Sequence, residues 1–263
     1  MKYSQLISDL IPCVLKAGEK ILDIYNGVHY ARFKKDGSPV TDADTAAEEI
    51  IISEIERLAP NTIIVSEENQ SSHRIIPEEH FFLVDPLDGT KEFLKHDGRG
   101  SFTVNIGLIE SGVPVMGIVY APALERLFYG YRAGGAWEIF NGEPRRIFVK
   151  SGSKERLVAV ASSSHRDNTT DVWLKKNKIY NTISIGSSLK FCLVASGEAD
   201  VYPRFSPTME WDTAAGDAIL RAAGGKVTTP KLSNFIYGKK HFKNDAFIAW
   251  GGVEDFLCRD LCQ

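Results

Sequence analysis

Apolar residues recur at helical spacing near the start of the chain. Leu6, Ile7, Leu10, Ile11, Val14, Ile21 and Tyr25 predict an amphipathic helix over residues 3–25. Ala43, Ala47, Ile50, Ile51, Ile55 and Leu58 predict the inner face of a second helix, entered at Thr41-Asp42-Ala43-Asp44 and running to about residue 58. Between them, residues 32–40 (RFKKDGSPV) are basic and read as a loop. Residues 61–66 read as a strand ending in Glu67-Glu68, and 69–77 as a polar loop with no assigned chemistry. The apolar run 81–84 (FFLV) reads as a short buried strand.

The rhythm then shortens. Residues 101–109 alternate, with Phe102, Val104, Ile106 and Leu108 on one face. Further strands are predicted at 113–120, 126–131, 136–140 and 146–149, with turns at 112–114 and 132–135, which makes an antiparallel meander. From Leu157 strands alternate with helices. Strands are predicted at 157–161, 182–185, 199–202, 226–229 and 246–250, and helices at 167–177, 187–197, 211–223 and 253–261. Gly224-Gly225 can supply the left-handed cap of the third of these helices. The pattern predicts two halves sharing one interface, α+β over 1–150 and α/β over 151–263.

The candidate chemistry centres on FFLVDPLDGTKEF, residues 81–93. The strand delivers Asp85 at its carboxyl end, and Pro86, lacking an N–H, is expected to stop the ladder. Asp88-Gly89-Thr90 follows as a turn that can open a helix. Two carboxylates three residues apart at a strand end suit a hard divalent cation such as Mg²⁺, with substrate phosphate completing the ligand set. A Pro-Asp-Gly turn with an incidental acid on each side is an equal alternative for this stretch alone. Other acids have local explanations too. Thr41-x-x-Asp44 resembles a capping box, and Asp212 would offset a helix dipole at the first turn of its helix.

Composition narrows the field. The 263 residues carry a net charge of −3, leaving no basic excess for a nucleic-acid surface. A small phosphorylated substrate remains compatible. The first twenty residues contain acids and no long apolar run, so no secretory signal is expected, and no stretch approaches the roughly 20 apolar residues of a membrane span. Cys13, Cys192, Cys258 and Cys262 show no metal-type pairing and suit a reducing cytosol. Cys258 and Cys262 are four apart on the last predicted helix, where ordinary packing is favoured over a redox role.

DPLDGT at 85–90 and WDTAAGDAILRAAGG at 211–225 resemble the two signatures of the inositol monophosphatase superfamily. Glu67-Glu68 and SPVTDAD at 38–44 match its two other acidic positions in the same order, so the resemblance covers nearly the whole chain. Within the superfamily the chain most resembles 3′(2′),5′-bisphosphate nucleotidases of CysQ type. Those read KxDGSPVTxAD, as at 34–44, and DGTKEF, as at 88–93, where inositol monophosphatases more often read DGTTNF.

The resemblance implies a layered αβαβα sugar-phosphatase fold and two or three Mg²⁺ ions. Glu67, Asp85 and the Leu87 carbonyl would hold one ion, Asp85, Asp88 and Asp212 a second, and Glu67 would help hold a third. Thr90 and Asp44 would form a pair that positions the attacking water, with Glu67 counted among the catalytic residues. Backbone N–H groups of Gly89 and Thr90 would receive the phosphate. His165 would lie near an adenosine, Ser187 and Lys190 would meet a ribose and a second phosphate, and Arg204 would reach the same pocket. Asp212 would also border the substrate. On residue type alone, Lys190 and Arg204 are also open to being surface charges and His165 to being a loop histidine, the less favoured readings. Glu210 is open to contacting a sugar hydroxyl or to supporting Asp212. Ser206 stands where such nucleotidases often have Gly, which bears on fine substrate preference.

The implied activity is Mg²⁺-dependent hydrolysis of 3′-phosphoadenosine 5′-phosphate to AMP and phosphate, the removal of a by-product of sulfate assimilation, with lithium sensitivity as a family trait. An inositol monophosphatase or broad sugar-phosphate phosphatase is the alternative, and a non-catalytic phosphometabolite-binding protein a third. The expected location is the cytoplasm, including a peripheral place at the inner membrane surface. A homodimer is one of the oligomeric states left open.

Overall fold

The computed structural model of the chain describes residues 2–27, 32–33, 39–95, 100–150, 156–162 and 167–252. Helices α1 (Tyr3–Tyr25) and α2 (Asp42–Leu58) form where apolar spacing predicts them. Between them, β1 (Arg32–Phe33) and β2 (Pro39–Val40) pair antiparallel where a loop is predicted. Two-residue strands carry too few positions for an alternation to be read. Thr41 caps α2 through its hydroxyl, and the Asp44 carboxylate reaches back to the Thr41 N–H at 2.7 Å, so the capping box is present.

The chain then builds β3 (Ile63–Ser66), β4 (His80–Asp88), the six-residue helix α3 (Thr90–Lys95), β5 (Thr103–Glu110), β6 (Val113–Ala121), β7 (Arg126–Tyr131), β8 (Gly135–Phe140) and β9 (Glu143–Ile147). These strands form one seven-stranded sheet in sequence order. Its β3–β4 pair is parallel and the rest is antiparallel, confirming the meander. β9 starts three residues earlier than predicted. A two-residue hairpin at Asn141-Gly142, both with positive φ, sets its register by pairing Phe140 with Glu143. β4 also runs past Pro86. The proline does not end the strand. It produces a register shift between Asp85 and Asp88, after which Asp88 pairs with Thr103.

The second half contributes β10 (Val158–Ser162), α4 (Asn168–Lys176), β11 (Asn181–Ile185), α5 (Leu189–Ala195), β12 (Val201–Arg204), β13 (Thr208–Met209), α6 (Ala214–Ala222), β14 (Lys226–Thr228), β15 (Lys243–Asn244) and β16 (Phe247–Trp250). A five-stranded sheet has the order β11-β10-β12-β16-β14, with β10, β11 and β12 parallel. β13 and β15 pair as a separate ribbon that the sequence pattern does not reveal. α5 starts two residues later than predicted because Ser187 is left-handed, at φ 51°. α6 starts at Ala214, so Trp211 and Asp212 lie in the turn before it. The predicted helix at 253–261, with Cys258 and Cys262, lies outside the described residues, as do residues 34–38 and His165. Among the described residues no helix is long and apolar enough to cross a membrane.

Period-two alternation explains the layering. Along β4 and β5, Phe82, Val84, Val104, Ile106 and Leu108 pack with the inner faces of α1 and α2. Phe81 and Leu83 face the other way, into a core shared with α5, α6 and the second sheet. α4 covers the far side of that sheet through Trp173 and Leu174. The layers are therefore α1/α2, seven-stranded sheet, α5/α6, five-stranded sheet and α4, the αβαβα order expected.

α6 lies almost on the backbone of the first sheet. Gly107, Gly117, Gly130 and Ala136 are successive cross-strand partners on β5 to β8 and form a row of small residues beneath it. A Cβ on Gly117 would sit 2.1 Å from the Ala215 carbonyl oxygen, and one on Gly107 2.8 Å from the Ala214 Cβ. Neither neighbour can yield without moving the helix. Gly117→Ala is therefore expected to destabilise the protein by about 3 kcal/mol, the upper range for overpacking. Urea denaturation measures this, and a loss below about 0.5 kcal/mol, ordinary for a surface change, would refute the close approach.

Candidate active site

The site forms where strand ends converge. β3 and β4 are parallel, so their carboxyl ends lie side by side, and the Glu67 N–H donates to the Val84 carbonyl at 3.1 Å. That bond places Glu67 next to Asp85. Alternation puts Asp85 on the same face as Phe81 and Leu83, the face covered by α6. Leu87 would share that face in a regular strand. The register shift at Pro86 instead turns its side chain into the core beneath α1 and α2. From the opposite layer, the turn before α6 brings in Asp212. Its carboxylate accepts from the Met209 N–H at 2.8 Å, and its own N–H donates to the Met209 carbonyl at 3.2 Å. Asp212 is thus fixed by a tight local turn, a correction to its predicted place inside the first helical turn.

Carboxylate oxygens of Glu67, Asp85 and Asp212 all lie within 4.8 Å of one another. Asp85 is 1% exposed. Its Oδ1 accepts from the Leu87 N–H at 3.1 Å, while Oδ2 has no hydrogen-bond partner although buried. A buried, unpartnered carboxylate oxygen is costly unless a cation or proton meets it. Asp88 adds a fourth acid, its Oδ2 accepting from the Ser188 N–H at 2.6 Å.

The electrostatics follow from this crowding. Burial, then Glu67, Asp88 and Asp212, push the Asp85 carboxyl well above the usual carboxylate range. Asp212 is pushed the same way by burial and by Asp88 and Glu67. Burial raises Asp88 to about 6 although Lys190 and the Ser188 N–H pull it down. The donors are all oxygens, mostly anionic, and one is orphaned, so the cluster fits a hard divalent cation.

Thr90 opens α3 beside this cluster, after Gly89 with φ 95°. Its hydroxyl is 3.3 Å from Asp44 Oδ1 and 3.3 Å from the Leu87 carbonyl oxygen. Asp44 therefore does both things the sequence left as alternatives: it caps α2 and meets Thr90.

The same cavity is also lined by cations. β10, β11 and β12 are parallel, and their carboxyl ends deliver Ser162, Gly186-Ser187 and Arg204 to the same cavity of about 370 Å³ that holds Glu67, Asp88 and Asp212. Lys190 and Arg204 are only 5% and 8% exposed, so neither is a surface charge. The Lys190 ammonium donates to the Ser187 carbonyl and sits 5.4 Å from the centre of the Tyr202 ring. Burial lowers its pKa to about 8, with Asp88 pulling up and Arg204 pushing down. The Arg204 Nε donates to the Ser206 carbonyl at 3.2 Å.

Glu210 does not belong to this cavity. It is buried and accepts from the Gly238 and Lys239 N–H groups at 2.8 and 2.9 Å, and its Oε1 lies 2.6 Å from the Lys239 ammonium. The sugar-contact alternative is thereby set aside in favour of support for the Asp212 turn. Ser188, within the segment whose resemblance places it near a ribose and second phosphate, is here turned toward the acids. Besides its N–H on Asp88, its hydroxyl bonds Asn105 Oδ1 and lies 2.9 Å from Thr103 Oγ1, tying α5 to β5 beneath the acids. Its only sequence signal is the Gly-Ser-Ser before an apolar helix.

An αβαβα sandwich with oxygen donors at one strand end and buried cations at another has the architecture of the sugar phosphatases. A family model described as inositol monophosphatase family matches residues 2–261. The chain belongs to the inositol monophosphatase family. It is 47% identical over 215 residues to the 3′(2′),5′-bisphosphate nucleotidase CysQ of Salmonella typhimurium, covering 80% of this chain and 85% of that one. It is 40% identical over 253 residues to the protein of the same name from Buchnera aphidicola, covering 94% of each. The crystal structure of CysQ from Bacteroides thetaiotaomicron superposes with a TM-score of 0.80 at 38% identity, covering 95% of this chain and 98% of that one. Extragenic suppressor protein suhB from Bartonella henselae gives 0.81 at 30% identity, covering 98% of each.

The raised acids make a pH prediction. Asp88 titrates at about 6 when folded, against roughly 3.9 for an ordinary Asp. A raised carboxyl stabilises the fold below the unfolded value, and that contribution is lost as pH rises through the folded one. EDTA-treated protein should therefore lose at least about 1 kcal/mol of stability between pH 5 and 7.5, with Asp85 and Asp212 acting in the same direction. Added Mg²⁺ should recover the loss at pH 7.5. Urea denaturation at the two pH values is the check, and metal-free stability that is flat or rising would contradict a repulsive cluster.

Proposed function

We propose that the protein is a Mg²⁺-dependent phosphomonoesterase that hydrolyses 3′-phosphoadenosine 5′-phosphate to AMP and inorganic phosphate. The observation that carries the substrate assignment is the buried pair of cations, Lys190 and Arg204, lining the same cavity as the acids. An inositol monophosphate has one phosphate and gives such a pair nothing to neutralise. A nucleoside bisphosphate has a second one, for which Arg offers a planar donor set and Lys a point charge. The activity for which the CysQ relatives are named supports the same reading.

Glu67, Asp85, Asp88, Asp212 and the Leu87 carbonyl are the groups assigned to hold two or three ions. When bound, those ions supply the positive charge that lets an oxygen nucleophile approach a phosphate dianion. The remaining work falls to the chain. Gly89 and Thr90 N–H groups would receive the reacting phosphate. Thr90 Oγ would accept a hydrogen bond from the attacking water while donating to Asp44, orienting the water without adding charge beside the phosphate. Glu67, at the mouth of the same cluster, would accept from that water on its other side. The bond from water oxygen to phosphorus would form as the bond to the ribose oxygen breaks; the attacking water's proton would pass to Glu67, and the displaced oxygen would leave as a hydroxyl with a proton taken from solvent water. Ser187 and Asp212 border the space for the ribose.

Phosphate release with Mg²⁺, comparing 3′-phosphoadenosine 5′-phosphate with inositol 1-phosphate at matched concentration, tests the proposal. A large preference for the nucleotide is expected; a preference for inositol phosphate would overturn the nucleotide assignment, and release from neither would overturn the enzyme assignment. Lys190→Met should lower kcat/KM for the bisphosphate about 10- to 100-fold, the loss of one hydrogen bond to a charged group. Asp85→Asn should abolish turnover while leaving the circular dichroism spectrum unchanged.

A further inference from the structure

The loop at 69–77 holds a short 3-10 turn, Ser72–Arg74, that touches both acid-bearing segments. His73 Nε2 lies 2.8 Å from the Ser66 carbonyl oxygen. A carbonyl only accepts, so Nε2 carries the proton and donates. The same imidazole stacks on the buried Trp211 indole, with ring centres 4.6 Å apart and planes inclined by 27°. Ser66 immediately precedes Glu67, and Trp211 immediately precedes Asp212. One side chain thus grips the residue before each of two carboxylates that come from different layers of the fold.

The neighbours of Ser66 sharpen this. Its N–H donates to the Ser72 hydroxyl at 3.2 Å, and its own hydroxyl donates to Glu48 on α2, the helix that begins with Asp42 and carries Asp44. The Ser72 hydroxyl also donates to the Asn69 carbonyl at 2.6 Å, which closes the turn on itself. Trp211 packs at its other side against Phe242, whose carbonyl accepts from the Glu210 N–H at 2.7 Å. Both of these contacts of the His73 ring are therefore to residues that are themselves anchored.

We infer that His73 is a positioning residue for the divalent-cation site, holding the Glu67 and Asp212 carboxylates at the spacing one ion can bridge. The inference rests on the cation reading of the acid cluster. Glu67, Asp85 and Asp212 repel one another when ionised, and the bonds that fix Glu67 to β4 and Asp212 to its turn each lie within one layer of the fold. The imidazole links the two layers one residue before the acids, with a hydrogen bond to Ser66 on one side and a face stacked on Trp211 on the other. Loosening it lets the acids drift apart, and a rigid oxygen cage then binds its ion less tightly.

The test is calorimetric titration of the metal-free protein with Mn²⁺, a readout independent of turnover. His73→Ala removes both contacts, His73→Phe keeps a stacking ring and loses the donor, and His73→Gln keeps a donor and loses the aromatic face. The Mn²⁺ dissociation constant is expected to rise about tenfold in His73→Ala, the effect typical of losing a partner that orients ligands. His73→Phe and His73→Gln should fall between that variant and the parent. Dissociation constants within twofold of the parent in all three, whatever happens to thermal stability, would overturn the inference and leave the cation site standing. A parent protein that takes up no Mn²⁺ would overturn both.

Discussion

The structure depends on how closely α6 can approach the seven-stranded sheet. Asp85 is fixed near the carboxyl end of β4 in that sheet and Asp212 to the turn that enters α6. Their separation is therefore the helix-to-sheet distance, and the row of Gly107, Gly117, Gly130 and Ala136 sets it. Side chains of ordinary size along that row would lift the helix and open the acid cluster. Glycine in a strand weakens the strand itself. Here the loss is offset because these strands are buried on both faces and their remaining positions, such as Val104, Ile106, Ile118 and Val119, fill the two cores.

That close approach forces like charges together, and the surrounding core makes it tolerable. Asp85, Asp88 and Asp212 are all shifted toward the protonated form. A fold with a thinner core would relax the strain by moving a helix. This one cannot, because α5 and α6 are clamped between two sheets and share one apolar cluster with both. The repulsion is held as binding potential for positive charge. The buried Lys190 is the fixed counterpart: it draws Asp88 downward and is itself depressed to about 8 by burial. The one cavity thus holds both acids that favour cations and buried cations that favour an anion.

Much of this was legible because it obeys simple periods. The long helices, the meander and the alternation of strands and helices follow from apolar spacing, and Asp85 at a strand end follows from FFLV before DP. The catalytic constellation was legible only through its likeness to known signatures. Asp44 and Asp212 each carried a sufficient local explanation, and no spacing rule brings residue 44 beside residue 90. Lys190 and Arg204 could not be told from surface charges, since their burial depends on the place of β12 within the second sheet and on α5 packing against it. Misread points have local causes. Pro86 bends β4 into a bulge and does not end it, since its missing N–H falls where the ladder is already shifted. Ser187 takes a left-handed backbone that delays α5. The β13–β15 ribbon joins segments more than thirty residues apart, at Thr208 and Asn244, which no local pattern reports.

The segment that read as empty, 69–77, shows why polarity patterns undervalue positioning groups. Ser, His and Asn there satisfy one another and the end of β3, so by composition they look like any solvated turn. Their consequence appears only when Ser66 and Trp211 are seen to precede two of the acids. A site assembled from two layers needs something to fix the layers' relative offset at the point of chemistry, and the helix-to-sheet contact along the glycine row fixes it only some residues away. The ring of His73 acts one residue away from two of the acids. It also explains why the turn is closed internally by Ser72 and Asn69: a clamp that gained its order only on binding would charge that entropy to every ion taken up. A preordered one leaves the affinity of the acid cluster undiminished.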